Sequence, residues 1–177
     1  MATPGWMRIV LVGAVMLGAS CTAAPRQRPL PIGAVNKGPG TVTQAREYLQ
    51  GRWSLVSMEL FPPNEAAIHV VGSGQLVYDD FANLTVDLRV DEATARLFER
   101  IGISAPNGVI STSGRTLVDM TSRTLSYTLE GQQAVRPATH PLDTNRPRYW
   151  EVDGNTLTLR TKDDTGKVIS VAVWRKE

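Results

Sequence analysis

Cysteine is nearly absent. Cys21 is the only one in 177 residues, so no intrachain disulfide can form. Histidine is almost as scarce, with His69 and His140 alone, and two histidines plus one cysteine fall short of the ligand set of a structural zinc. The net charge is only +2 and Lys and Arg form no dense cluster, which argues against a nucleic-acid partner. Catalytic signatures are missing too: there is no G-x-S-x-G elbow, no P-loop and no H-E-x-x-H, so neither an enzyme nor a cofactor or metal is expected. What remains is ordinary for a globular chain, 42% hydrophobic and 20% charged, long enough for one domain plus appendages.

The first twenty residues stand apart. Met1–Ser20 holds no acid and one base, Arg8, and Ile9–Leu17 is an apolar run of nine. A bilayer span needs about 20 such residues, so this run has the size of a secretory signal core. It leads through "LGAS" into Cys21. This resembles the lipobox of bacterial lipoproteins, whose cysteine is diacylated and becomes the mature N-terminus; here Gly18 stands three before the cysteine and Leu17 one place earlier. Met1 and Met7 both remain as starts. The resemblance implies a signal peptide over 1–20 and a membrane anchor at Cys21, two acyl chains being what stable anchoring requires. Thr22, rather than Asp, follows the cysteine, which favours the outer membrane in a two-membraned bacterium.

Residues 21–42 read as a tether. Between Thr22 and Gly40 lie four prolines, three glycines and no apolar period. Extended, the segment reaches on the order of 60 Å at about 3.1 Å per residue. The domain proper, 43–177, opens on a short helix, "TQAREYLQ", with Thr43 as N-cap, Leu49 facing inward and Gly51 as its stop.

From there the pattern is β. Strands are expected near 52–60, 74–79, 83–90, 107–113, 115–121, 123–130, 146–152, 155–161 and 167–175, from short β-rich runs between turn signals. "LTVDLRV" sets Leu84, Val86, Leu88 and Val90 on one face, and "RTLSYTL" does the same with Leu125, Tyr127 and Leu129. Asp153-Gly154 is a favoured two-residue hairpin turn, and Gly166 marks another. Asp79-Asp80, beside Tyr78 and Phe81, reads as turn chemistry and not as a carboxylate pair, since neighbours on a strand face opposite ways. One helix interrupts: "DEATARLFERIG", capped by Asp91, with Leu97, Phe98 and Ile101 at helical spacing, a Glu92–Arg96 pair and Gly102 as stop. Its apolar stripe must pack on the sheet or cover a barrel end. A barrel and a sandwich both suit one apolar face per strand.

Four stretches carry a resemblance: "LQGRWSLVS" (49–57), "GSGQLVYDD" (72–80), "RPRYWEVDGNTLTL" (146–159) and "AVWRK" (172–176). In this order the chain resembles bacterial lipocalin-like domains, within the calycin group. The resemblance implies an all-β, antiparallel up-and-down barrel with a short helix before the first strand and one helix near 91–101. It also implies a closure device in which Gly51 gives the tight entry, Trp53 lies near the closed end and Arg175 of the last strand packs on its ring; Trp174 is the competing partner. Related domains often carry a histidine where this chain has Tyr127, so a role resting on that histidine is not expected.

Interior polar and aromatic positions are the binding candidates. Tyr78 and Tyr127 lie on alternating apolar strands, and Arg148 and Trp150 share one face of theirs. An apolar lumen with a few polar groups suits a small hydrophobic ligand, and a buried arginine would need a carboxylate partner from the protein or the ligand. His140, between prolines, and His69 lack companion ligands for a metal or haem. Two functions stay open: a lipid-anchored barrel carrying a small apolar molecule in a hollow lumen, or a protein-interaction module (an inhibitor or envelope assembly factor) with a filled barrel and an exposed apolar patch in a loop near 131–147.

Overall fold

At Gly51 the helical start of the domain becomes sheet. The computed structural model describes residues 42–129, 140–142 and 146–177. The segment expected as a signal, Cys21 and the segment expected as a tether, up to Thr41, lie outside the described residues, as does most of the loop near 131–147. Helix α1 (Val42–Leu49) buries Ala45 and Leu49, four residues apart on one face. It begins one residue before the expected cap, so Thr43 sits in its first turn. The chain then enters β1 through Gly51, whose φ of 124° a side chain rarely adopts.

Strands β1 (Gly51–Leu60), β3 (Gly72–Tyr78), β4 (Asn83–Val90), β5 (Val109–Asp119), β6 (Thr124–Leu129), β7 (Arg148–Asp153), β8 (Thr156–Lys162) and β9 (Val168–Lys176) pair antiparallel in chain order. Strand β1 pairs with β3 on one side and with β9 on the other, so the eight strands close into an up-and-down barrel. Closure removes the free edges that a sandwich would leave, which settles the choice the pattern left open. A ninth strand, β2 (Ile68–His69), adds only two residues against the end of β1.

Three details differ from the expected strands. The runs 107–113 and 115–121 are a single strand, because Gly114 is no turn: it is buried and in register with Leu84 on one side and Leu129 on the other. The two-residue β2 was not anticipated, being too short for any periodicity. In the β7–β8 hairpin Asp153 still pairs with Thr156, so the loop residues are Gly154 and Asn155, with Gly154 at φ 54° in the first central place.

A bulge shapes β1. Leu55 and Ser57 oppose consecutive residues of β9, Trp174 and Val173, so Val56 is the extra residue and stands half exposed. Beyond it Met58 and Leu60 resume the inward face.

Helix α2 (Glu92–Arg100) is built as its sequence announces. Asp91 accepts a hydrogen bond from the Thr94 amide at 2.7 Å, Glu92 pairs with Arg96, and Gly102 beyond the last turn has φ 77°. Its Phe98 is fully buried in a cluster with Leu60, Ile68, Leu88 and Ile103, so this helix covers one end of the barrel. The other end holds a second cluster around Trp53, Leu76, Leu84, Leu125, Leu157 and Trp174, to which α1 contributes Ala45 and Leu49. Leu55 touches both clusters and joins them into one interior.

Candidate functional site

Strand pairing turns all four candidate residues toward the barrel interior, from β3, β6 and β7. Tyr78 is in register with Gly51 and Leu84, Tyr127 with Thr116, Arg148 with Leu125 and Thr161, and Trp150 with Leu159. Directly paired residues share a face, and most of these partners are core residues, so all four side chains turn inward. Tyr78, Arg148 and Trp150 are buried and Tyr127 partly so.

Three of the four form one polar cluster. The Tyr78 and Tyr127 hydroxyls are 2.9 Å apart, and the Arg148 guanidinium lies 5.6 Å from the Tyr127 ring centroid. Arg148 also donates from Nη1 to the Arg146 carbonyl at 2.6 Å. Burial pushes the Tyr78 phenol well above its ordinary pKa, helped by the neighbouring Tyr127 and opposed by the Arg148 charge. Burial raises Tyr127 as well, against the hydrogen bond from Tyr78 and the Arg148 charge. Both phenols therefore stay neutral at physiological pH. Next to Arg148, the Thr161 and Ser170 hydroxyls satisfy each other at 2.8 Å.

Trp150 is set apart by its indole N–H, which has no hydrogen-bond partner; the same holds for Trp174 Nε1 and Thr116 Oγ1. Trp150 forms part of the floor of a cleft of about 630 Å³ at the α1 end. Gln44 and Tyr48 of α1, Met120 and Arg123 of the β5–β6 turn, and Val152 and Asp153 of the β7–β8 hairpin complete its walls. Sequence reasoning missed this cleft because its walls come from three segments far apart in the chain. Trp174 could have been placed inward by parity once Trp53 was paired with Lys176.

The closure device needs one correction. Arg175 is exposed and lies one residue out of phase with Trp53, so its side chain faces outward. The cation over the Trp53 ring is Lys176, whose Nζ is 5.3 Å from the centroid. Lys176 is the direct strand partner of Trp53, and its Cε would lie 3.2 Å from a Cβ added at Gly51. Gly51 thus gives Lys176 room to cross the ring. Trp53 itself is fully buried and donates its indole N–H to the Leu49 carbonyl at 2.7 Å, tying α1 to the barrel.

The histidines do structural work. His140 Nδ1 accepts from the Leu142 amide at 3.1 Å, which leaves the ring proton on Nε2 to donate to the Ile101 carbonyl at 3.0 Å. This ties residues 140–142 to the C-terminal end of α2. His69 lies 3.1 Å from Glu59 on the surface. Among the described residues no three His, Cys, Asp or Glu side chains gather as a metal site. Asp79 closes the β3–β4 turn by accepting from the Phe81 and Asn83 amides, each at 2.8 Å.

No protein-family model matches the chain, and no curated protein does. Among solved structures it is similar to a DUF4847 family protein from Bacteroides vulgatus, at 9% identity and a TM-score of 0.41 over 73% of this chain and 94% of that one. A redesigned β-barrel matches at 12% identity and 0.39, over 77% and 98%. A mutant of the fluorescent protein UnaG matches at 11% and 0.35, over 74% and 97%.

Proposed function

We propose that this chain is a non-enzymatic, lipid-anchored, lipocalin-like protein that binds a small, largely apolar molecule inside its barrel. The observation that supports binding is the Tyr78–Tyr127–Arg148 cluster. An apolar core gains nothing from a buried guanidinium and two phenols, and a filled barrel is at least as stable with hydrophobic residues in such places. A polar head group of a ligand gives these residues a use: Arg148 supplies charge, the phenols supply directed hydrogen bonds, and the surrounding Leu, Val and Trp side chains hold an apolar body.

Native mass spectrometry of the full chain carrying Cys21→Ala tests the reading. A co-purifying lipid-sized mass supports it, and a ligand-free spectrum after purification without detergent counts against it. The anchor is tested separately: labelled palmitate is incorporated into the wild type and lost in Cys21→Ala.

A second reading, a protein-interaction module, draws on two exposed apolar side chains. Phe81 is 78% exposed in the β3–β4 turn and Leu117 70% exposed on β5. The Thr116 amide donates to the Ala82 carbonyl at 2.9 Å, which sets this turn against that strand. A stoichiometric protein partner captured by the wild type and lost in Phe81→Asp would favour this reading.

A further inference from the structure

Tight turns favour polar residues, yet the β3–β4 turn carries a phenylalanine at its tip. Asp79 Oδ1 accepts from the Phe81 and Asn83 amides, each at 2.8 Å, and its Oδ2 accepts from Asn83 Nδ2 at 2.6 Å. The backbone closes the same turn twice. The Asp79 amide donates to the Asn83 carbonyl and the Ala82 amide to the Asp79 carbonyl, both at 3.1 Å. Phe81 thus stands on a turn fixed by five hydrogen bonds, with 78% of its surface exposed.

Leu117 continues the apolar surface. The β4–β5 ladder runs from the Asn83–Arg115 pair to the bond between the Thr116 amide and the Ala82 carbonyl. One step further along the two chains stand Leu117 and Phe81. Leu117 is 70% exposed. A lone exposed hydrophobic side chain is ordinary, whereas two in adjoining positions form the start of a contact patch. Arg115 is exposed on the same outer face of β5, two places before Leu117. Asp119, two places after it, is taken up by the Thr121 and Ser122 amides at 2.8 and 3.1 Å.

The place of this patch on the barrel indicates what it meets. The β3–β4 turn lies at the end where the chain enters the domain. Tyr78 is in register with Gly51, and the Gln50 side chain, just past α1, donates to Asp80. Twenty residues separate Cys21 from Val42, the first residue of α1. An acylated Cys21 therefore keeps a lipid surface within reach of this end of the barrel. Two side chains bury too little area to hold a protein on a bilayer from free solution. On a short tether the contact becomes intramolecular, at an effective concentration in the millimolar range, and a small area suffices.

We propose that the β3–β4 turn is a membrane-contact site, in which Phe81 and Leu117 enter the bilayer interface and Arg115 meets the lipid phosphates. The apolar pair suits the acyl boundary. The arginine pairs with phosphate oxygens while its stem lies along apolar surface. The barrel is then held with its α1 end toward the membrane and the α2 end away from it. This proposal rests on the lipid-anchor part of the reading above, and it assigns the exposed pair to lipid in place of a protein partner.

The test uses the full chain, grown with para-fluorophenylalanine at its three phenylalanines, Phe61, Phe81 and Phe98. Cys21, the sole cysteine, is coupled to a maleimide-bearing lipid in phosphatidylcholine nanodiscs, so the anchor is supplied chemically. Phe61 and Phe98 lie at the opposite end of the barrel and act as internal controls. Adding lipid with a nitroxide on its head group should remove most of the Phe81 fluorine signal and leave those of Phe61 and Phe98. Leu117→Asp should restore most of the Phe81 signal without moving the two control resonances. A Phe81 signal no weaker than that of Phe98 overturns the proposal and leaves the anchor reading standing. A purified protein partner that binds stoichiometrically, protects Phe81 from the nitroxide lipid and is lost in Phe81→Asp also overturns it, in favour of the protein-interaction reading. Failure of Cys21 to take up labelled palmitate overturns the anchor reading, and this proposal with it.

Discussion

Lys176 lies over the Trp53 ring, its Nζ 5.3 Å from the centroid, and the two residues are direct partners across the seam where β9 meets β1. The contact therefore sits where the barrel closes. Its neighbour Arg175 faces outward, beside Ser54 in register.

Lys176→Ala should lower stability by about 0.5–2 kcal/mol, the range of a cation on an aromatic ring. Arg175→Ala should fall within roughly 0.5 kcal/mol of wild type, as for most surface changes. Urea midpoints of the two variants check this. Equal losses would show that the ring contact contributes nothing specific.

The Tyr78 and Tyr127 hydroxyls should couple in a double-mutant cycle. Tyr127→Phe leaves the Tyr78 hydroxyl buried without its partner, at a cost of about 1–3 kcal/mol. The double variant with Tyr78→Phe removes both polar groups and should recover much of that loss. Additive losses would mean the bond is absent in solution.

Alkali should act through the same pair. Both phenols have folded pKa values raised above their ordinary value near 10, chiefly by burial. A raised folded pKa contributes stability that is fully present below the unfolded value and fades as pH rises through the folded one. Unfolding should therefore set in above about pH 10. Ultraviolet titration at the phenolate band should show these two tyrosines ionising only with loss of the fold. Their ionisation in the native protein at the ordinary pKa would contradict their burial.

Gly108→Ala should be among the most damaging changes at the α2 end. Gly108 has φ 71°, and a Cβ there would lie 2.6 Å from the Val90 carbonyl oxygen, which is backbone and cannot step aside. Strain of this kind costs about 1–3 kcal/mol. Gly154→Ala is the control: its φ is 54° and nothing stands within 4 Å, so only the backbone preference is lost. Thermal midpoints should drop further for Gly108→Ala than for Gly154→Ala.

The candidate site was partly legible in the sequence. Alternation on single strands is local, so it placed Tyr78, Tyr127, Arg148 and Trp150 on apolar faces without knowledge of their neighbours. That Tyr78 meets Tyr127 depends on strands separated by 49 positions, and no local pattern carries it. Reading Arg175 as the cap on Trp53 failed because a face on β9 is set by its pairing with β1, and a one-residue slip exchanges inward for outward side chains. Gly114 misled in the same way: a glycine among polar residues reads as a turn, but in β5 it is a buried point of strand pairing.

The sequence by itself determined the local features: the Asp91-capped helix with Phe98 inward, and most of the short alternating strands, because caps, turns and periodicity act over a few residues. Tertiary structure alone decided that the sheet closes, that Lys176 covers Trp53, that α2 covers one end of the barrel, and that Trp150 helps line a cleft beside α1. Each of these depends on register between distant strands, where hydrogen-bond pairing and core packing choose among arrangements that the local pattern allows equally.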